Sequence, residues 1–505
     1  MANPLHDALF APLAGQDRPL MHLPGGAVLT AAAFAADIAR FAHALGAAGL
    51  APGDRVVVQA AKTPAMLAVY GAAVAAGVVF LPLNTAYTPD EVDYFVGDCG
   101  AKLLLVDPGR DAPLADLAAR HGTRLETLGP GGSFDALAAG QPVRFTAVDR
   151  APDDLAALLY TSGTTGRSKG AMLTQTNLLS NAEALRDLWR FTDRDVLLHA
   201  LPIFHTHGLF VACNTVLLAG ARMIWLPKFD ADAVFEALPQ ATTMMGVPTF
   251  YTRLLEDARL TRDATAHMRL FVSGSAPLLS ETHTAWVART GHAILERYGM
   301  TETNMIASNP YDGDRRAGTV GFALPGVEVR ITDPDTGSEL AQGETGMIEV
   351  RGPNVFKGYW RMPEKTAEEL RDTGFFLTGD LGMIDDRGYL CIVGRQKDLI
   401  ITGGYNVYPR EVELILDDQP GVRESAVVGV PHPDFGEAVL GVIVPEPGHP
   451  PDLDAIAEAL KGPLARFKQP KALVTLDALP RNAMGKVQKA ALRSRYGQTF
   501  AARTG

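Results

Sequence analysis

Apolar and polar positions fall into two textures along this chain. Up to about residue 318, short β-favouring runs at residues 55–59, 102–106 and 223–226 alternate with Ala- and Leu-rich helical stretches at 31–45 and 112–119. That order is expected of strands and helices stacked in parallel layers, so the predicted fold class is α/β. The most apolar stretch, residues 66–83, is rich in Ala and Gly and interrupted by Pro82. It predicts a buried helix running into a strand, not a membrane span. From Thr319 onward the runs shorten: residues 327–332, 346–351, 376–377 and 389–393 read as strands between Gly, Asp and Pro turns, a β-rich subdomain over about 319–394. Beyond Gly394 a helix at 411–416 and a strand at 424–430 precede a charged, Pro-containing end. The expected division is a large N-terminal domain of layered α/β subdomains, residues 1–395, and a small α+β C-terminal domain, residues 396–505.

Composition sharpens this picture without changing it. A chain of 505 residues exceeds the size at which one core stops growing, and 47% hydrophobic with 20% charged residues is the profile of a folded protein. The net charge of -11 argues against nucleic acid as a partner, since a phosphate backbone is held by clustered Lys and Arg. Cys99, Cys213 and Cys391 are far apart with no CxxC spacing, which disfavours zinc or a disulfide framework. With no basic leader before an apolar run among the first residues, the expectation is a cytoplasmic protein that engages no membrane.

The densest chemistry lies at residues 161–170, Thr161-Ser162-Gly163-Thr164-Thr165-Gly166-Arg167-Ser168-Lys169-Gly170, directly after the apolar run 155–160. Glycines let backbone approach phosphate closely, while hydroxyls and Lys169 offer donors and charge to its oxygens. The loop lacks the G-x-x-x-x-G-K-[ST] pattern of a Walker sequence.

This loop resembles the phosphate-binding motif of the adenylate-forming superfamily, which includes acyl-CoA synthetases, peptide-synthetase adenylation domains and luciferases. Five further segments resemble its other motifs in order: Gly274-Ser275-Ala276-Pro277, Tyr298-Gly299-Met300-Thr301-Glu302, Thr378-Gly379-Asp380, Gly394-Arg395-Gln396-Lys397-Asp398, and residues 480–487 with Gly485-Lys486. The resemblance implies ATP and CoA as co-substrates, Mg²⁺ as cofactor, and two half-reactions through an acyl-adenylate with release of diphosphate and AMP. It also implies roles. Thr161 and Glu302 would hold the metal and Lys486 would act in adenylation. Thr161, Ser162, Gly163, Thr164, Thr165, Gly166, Lys169, Gly274, Ser275, Ala276, Glu296, Arg297, Tyr298, Thr301, Asp380 and Arg395 would line the nucleotide site. Lys397 would be the hinge of a mobile small domain, and Gly403, Gly404, Arg466 and Lys468 would contact CoA.

Within the superfamily the chain most resembles malonyl-CoA synthetases, through residues 202–209 (PIFHTHGL) and 296–302 (ERYGMTE). Malonate brings a second carboxylate, and a buried charge must be paired. Arg297 is the expected partner, because its planar fork takes a carboxylate bidentately; the alternative is an ion pair with Glu296 or another acid. Thr206, His207 and Met305 are expected to complete the acyl pocket, whereas His205 is as readily a core histidine. Competing readings are activation of methylmalonate or another small acid, transfer to a carrier protein, and a non-catalytic AMP- or acyl-binding protein. Lys486 is also an expected target of a lysine acyltransferase, since acylation would remove its charge.

Overall fold

The structure is a computed structural model and describes residues 2–161, 168–402, 405–482 and 485–500. Ser162, Gly163, Thr164, Thr165, Gly166, Gly403 and Gly404, which carry sequence expectations, lie outside the described residues.

The α/β class follows from how the apolar runs pair. Among the described residues, one sheet of six strands runs Arg124–Thr127, Leu103–Val106, Arg55–Gln59, Val79–Pro82, Leu155–Thr161, Lys169–Thr174. It is parallel apart from the last pair, which is antiparallel and flanks the phosphate-loop sequence, with Thr161 opposite Lys169. A second sheet of nine strands has a parallel centre, Leu295–Met300, Leu270–Ser273, Thr243–Gly246, Val196–His199, Arg222–Trp225 and Pro19–His22, with antiparallel additions at both edges.

The apolar stretch 66–83 resolves into the helix Pro64–Ala76 and the strand Val79–Pro82. Thr63 caps the helix start by accepting from the Met66 N–H, and Gly77 ends it in the left-handed region at φ 68°. Residues 66–76 of this helix are all buried, as befits a helix enclosed on every side. One core joins it to Val56 and Phe80 of the first sheet and to Leu197, Met223 and Trp225 of the second. A helical layer thus welds the sheets, and a cleft between them inherits a rigid frame.

The expected helix at 112–119 is split. Residues Ala112–Leu114, with Pro113, form a 3₁₀ turn, and the α-helix runs only over Ala115–Arg120. Proline has no N–H to continue an α-helical ladder.

The β-rich region forms a four-stranded antiparallel sheet, Glu328–Thr332, Gly346–Arg351, Phe376–Ile384 and Leu390–Arg395. After Arg395 the chain contributes to a separate sheet built from Tyr405–Val407, Ile400–Thr402, Gly436–Pro445, Val422–His432 and Ala472–Thr475. That sheet has its own core of Ile400, Val412, Leu416, Val427, Val439 and Ile456. Among the described residues no helix is long and apolar enough to cross a membrane.

Candidate active site

Strand ends from three sheets converge where the sequence motifs lie. Asp380 sits on the strand Phe376–Ile384 opposite Arg395, and the Arg395 Nε–H meets Asp380 Oδ1 at 2.8 Å. The other oxygen, Oδ2, accepts from the Tyr298 hydroxyl at 2.6 Å. The Asp380 N–H donates to Thr378 Oγ1 at 3.1 Å. The carboxylate is buried, and Asp380 in turn raises the Arg395 pKa above its ordinary value. This shelf is complete before any ligand arrives, with both carboxylate oxygens engaged.

Beside it, the buried Glu302 is under-neutralised. The Tyr359 hydroxyl lies 3.1 Å from Glu302 Oε1 but only 2.6 Å from Glu369 Oε2, and a phenol has one proton for two carboxylates. Thr161 Oγ1, at 3.4 Å, adds a weak contact, and a backbone N–H completes the donors among the described residues. Burial pushes the Glu302 pKa up, against Tyr359 and the more distant Lys169 and Arg395. Lys169 is itself engaged with Glu369 at 3.0 Å and lies over the Tyr359 ring at 4.1 Å. A buried carboxylate short of positive partners, next to a threonine hydroxyl, is a hard-oxygen donor set that suits a magnesium ion. Among the described residues no three His, Cys, Asp or Glu side chains gather as a self-contained metal cluster. Such an ion would therefore share its coordination with phosphate oxygens.

The group around Arg297 has the opposite character. Arg297, on the strand Leu295–Met300, is buried at 3% exposure, and its Nε and Nη2 have no hydrogen-bond partner among the described residues. Glu296 makes no salt bridge to it, because neighbours on a strand point to opposite faces, and acts on it only as a nearby charge. Glu296 Oε1 instead accepts from the Leu278 N–H at 3.1 Å, and burial pushes its pKa to about 7. Burial pushes the Arg297 guanidinium down to about 9. Room for it comes from Gly274, where an added Cβ would lie 2.3 Å from the Arg297 Cζ. Next to Gly274, Ser275 adopts the left-handed conformation at φ 73° and holds His207 Nδ1 at 3.1 Å.

His207 and the buried Thr206 open a π-helical segment, His207–Cys213, a widened turn that recurs at functional sites. His207 Nε2 and Thr206 Oγ1 are also buried without partners among the described residues. Burial first, then Arg297, push His207 well below its ordinary pKa, and His205 to about 4, so both are neutral. His205 Nδ1 accepts from the His207 N–H at 3.3 Å, a local contact within the turn. Met305 is buried, its backbone fixed on both sides by Asn181, which accepts from its N–H at 3.2 Å and donates to its carbonyl at 2.9 Å. Asn354 donates to the same carbonyl at 3.0 Å.

The carboxy-terminal segment closes over this arrangement. Gly485, at φ 76°, brings its backbone so close to Thr249 that a Cβ would meet it at 3.7 Å. Lys486 is exposed as a whole residue, yet its ammonium lies among Arg395, Asp380, Lys397 and Asp398. Loss of water and repulsion from Arg395 push its pKa to about 8. Lys397 is exposed as a whole residue in the 3₁₀ turn Gln396–Asp398, its pKa lowered by loss of water around the ammonium and by Arg395. Thr301 is half-buried beside Glu302, and Ala276 follows Ser275 in the loop after Leu270–Ser273. Lys468 is ion-paired to Glu411 at 2.6 Å, and Arg466 is exposed; neither is brought to the cleft by any contact in this arrangement.

Sequence reasoning did not single out Tyr359, Glu369, Asn181 or Asn354. Tyr359 carries a signal in hindsight, a hydroxyl-bearing ring between Gly358 and Trp360, but Glu369 stands among Glu364 and Glu368 with nothing to distinguish it.

Comparison with known proteins agrees with this geometry. Residues 13–360 match the family described as AMP-binding enzyme, and residues 411–486 the AMP-binding enzyme C-terminal domain. The crystal structure of ATP-bound MatB from Rhodopseudomonas palustris is 56% identical, with a TM-score of 0.97 over 99% of this chain and 100% of that one. A feruloyl-CoA synthase of an Amycolatopsis species is 38% identical over 477 residues, 94% of this chain and 95% of that protein. A malonate–CoA ligase of Arabidopsis thaliana is 36% identical over 453 residues, 83% of this chain and 74% of that protein.

Proposed function

The chain belongs to the AMP-binding enzyme family, and from that premise we propose that it is an ATP-dependent malonate–CoA ligase working through malonyl-adenylate. The observation that carries the choice of acid is the buried Arg297, whose Nε and Nη2 have no hydrogen-bond partner among the described residues, with Glu296 acting only as a nearby charge, and which borders Gly274 and His207. An isolated buried charge is costly, and a dicarboxylate offers the missing partner while its other carboxylate reacts. Similarity to a malonate–CoA ligase supports the same acid. Similarity to a feruloyl-CoA synthase supports an aryl acid instead, but that substrate would leave the guanidinium unpaired.

In this reading malonate enters with its distal carboxylate on Arg297. Thr206 Oγ1 and His207 Nε2 supply the remaining donors, and Met305 lies against the methylene. The reacting carboxylate then faces the α-phosphate of ATP. Asp380 takes the ribose hydroxyls in exchange for part of its contact with Tyr298 and Arg395. Thr161, Lys169 and the loop around Thr164 and Thr165 hold the phosphates, with Gly274, Ser275, Ala276 and Thr301 framing the nucleotide. Glu302 and Thr161 would hold Mg²⁺, which when bound withdraws charge from the phosphate oxygens. Lys486 brings its ammonium to the pole where negative charge accumulates as the carboxylate oxygen attacks and diphosphate departs. Once adenylate has formed, the body of residues 396–505 turns about Lys397, withdraws Lys486 and presents Gly403 and Gly404 to the CoA thiol, with Arg466 and Lys468 toward its phosphates. Once the small domain has turned and withdrawn Lys486 from Arg395 and Asp380, its ammonium would be open to a lysine acyltransferase. Three free thiols suit a reducing compartment such as the cytoplasm.

The test is CoA-thioester formation measured over malonate, methylmalonate, acetate, benzoate and ferulate, with diphosphate release followed in parallel. Malonate should give the highest kcat/KM. A preference for acetate or ferulate would overturn the dicarboxylate assignment, and no diphosphate from any acid would point to a non-catalytic binding protein.

A further inference from the structure

A lysine outside the site described above has an ammonium enclosed by protein. Lys62 lies in the connection between the strand Arg55–Gln59 and the helix Pro64–Ala76. Its Nζ reaches across to the other sheet, to the ends of two strands. It is 2.9 Å from His199 Nδ1, 2.8 Å from the His199 carbonyl and 2.7 Å from the Leu226 carbonyl. It also lies 4.5 Å from the centre of the Trp225 ring. An ammonium has three N–H groups, and three acceptors are present.

The consequence passes to His199. Two of the three ammonium donors can only go to carbonyls, so the third meets His199 Nδ1, which must accept and therefore carries no proton. A neutral imidazole then has its proton on Nε2. His199 Nε2 lies 2.9 Å from the Gly208 carbonyl, to which it donates. The Cys213 thiol is 3.2 Å from that carbonyl and 3.3 Å from His199 Nε2. Gly208 is the second residue of the π-helical segment, next to His207, and a Cβ at 208 would lie 2.0 Å from the Pro202 carbonyl oxygen, so the backbone there has no slack. Burial drives the Lys62 pKa to about 7, against the nearby Cys213, so the three-donor ammonium is the form present below that pH, and the tautomer is read there.

We propose that Lys62 is a positioning residue for the acyl pocket. By fixing the tautomer of His199 it anchors the Gly208 carbonyl and so sets where Thr206 and His207 present their unpartnered atoms. Without the ammonium, His199 is free to place its proton on Nδ1, leaving Nε2 and the Gly208 carbonyl as two facing acceptors that repel. The inference deepens the proposed acyl pocket and rests on it, but the tautomer requires no acid.

Two measurements test it. In wild-type protein labelled with ¹⁵N-histidine, the His199 resonances, assigned by their loss in His199→Gln, should show a protonated Nε2 and an unprotonated Nδ1. A protonated Nδ1 overturns the proposal, whichever acid the enzyme prefers. Lys62→Met should raise KM for the best acid of the panel on the order of tenfold to a hundredfold, the scale of a small misplacement, and Lys62→Arg should restore part of the loss. KM for ATP should stay within about twofold, since uniform binding at the nucleotide site is untouched. Equal changes for acid and ATP, or none in either, would make Lys62 a stitch between the two sheets and nothing more. If Lys62→Met does not fold, the wild-type tautomer decides alone.

Discussion

The proposed nucleotide shelf around Asp380 and the proposed acyl pocket around Arg297 adjoin, yet they prepare for ligands in opposite ways. At the shelf, both Asp380 oxygens are already engaged, by Arg395 at 2.8 Å and Tyr298 at 2.6 Å. A ligand there exchanges one set of partners for another, so the protein bears little cost while it waits. In the proposed acyl pocket, Arg297, His207 and Thr206 hold polar atoms buried and without a partner among the described residues. Their desolvation has been met in folding, and the ligand alone can return it. The paired site is tolerant, and the unpaired one is selective: a substrate lacking the complementary charge gains nothing from it.

The comparison is tested most severely at Lys486, the cation that the carboxy-terminal segment adds to the shelf. Lys486→Ala should abolish diphosphate release with malonate while leaving conversion of supplied malonyl-AMP and CoA to thioester intact. Equal loss of both steps would make the lysine structural. The same separation should appear in a pH titration. A lysine held at about 8 loses its charge as pH rises through that value, so adenylation should fall above it while the thioester step from malonyl-AMP does not. Full adenylation by protein stoichiometrically acetylated at Lys486 would contradict both expectations.

Arg297→Ala breaks the unpaired site directly. Losing one partner of a buried charge pair costs roughly 3–5 kcal/mol, about two to four orders of magnitude in kcat/KM for malonate if fully expressed in the transition state. Acetate should be nearly unaffected; equal losses would assign Arg297 to the nucleotide site or the scaffold.

Tyr298→Phe removes one partner from the paired site and should be milder. A hydrogen bond to a charged group contributes about 1.5–3 kcal/mol, but here Arg395 remains, so KM for ATP should rise about tenfold or less with acid preference unchanged. A change in acid preference would blur the division between the sites. Smallest of all, Thr206→Gly or Met305→Ile reshapes the pocket wall without touching charge. Methylmalonate and ethylmalonate should gain on malonate by about 1 kcal/mol, several-fold, the low end of what a methylene is worth in an apolar pocket, read as relative kcat/KM.

What the sequence revealed divides along similar physical lines. Residues 55–59 and 346–351 announce themselves as strands because their signal is local, an apolar run bounded by turn formers. Asp380, Glu302 and Arg297 stand in short motifs whose order along the chain can be recognised. Their partners were not legible where contact distance in sequence is large and the partner type is common. Lys169 and Glu369 are 200 positions apart, and Asn181 meets Met305 across 124. Lys62 gave no warning, since a single lysine before a helix is ordinarily a solvated charge. Only the fold reveals that two strand ends close over it. The split of residues 112–119 was within reach, because Pro113 is printed in the sequence and its missing N–H is a local fact.

The π-helical segment His207–Cys213 also has a bearing on descent. Its hydrogen bonds span one residue more than those of an α-helix, so the wall of the acyl pocket is a matter of chain length as well as of side-chain identity. Removing a single residue between Leu209 and Ala212 would let the turn relax to the ordinary helix and rotate everything before it relative to Arg297. A lineage acquiring or losing that one residue would change what its pocket presents in one genetic step, without altering any of the side chains that touch the acid.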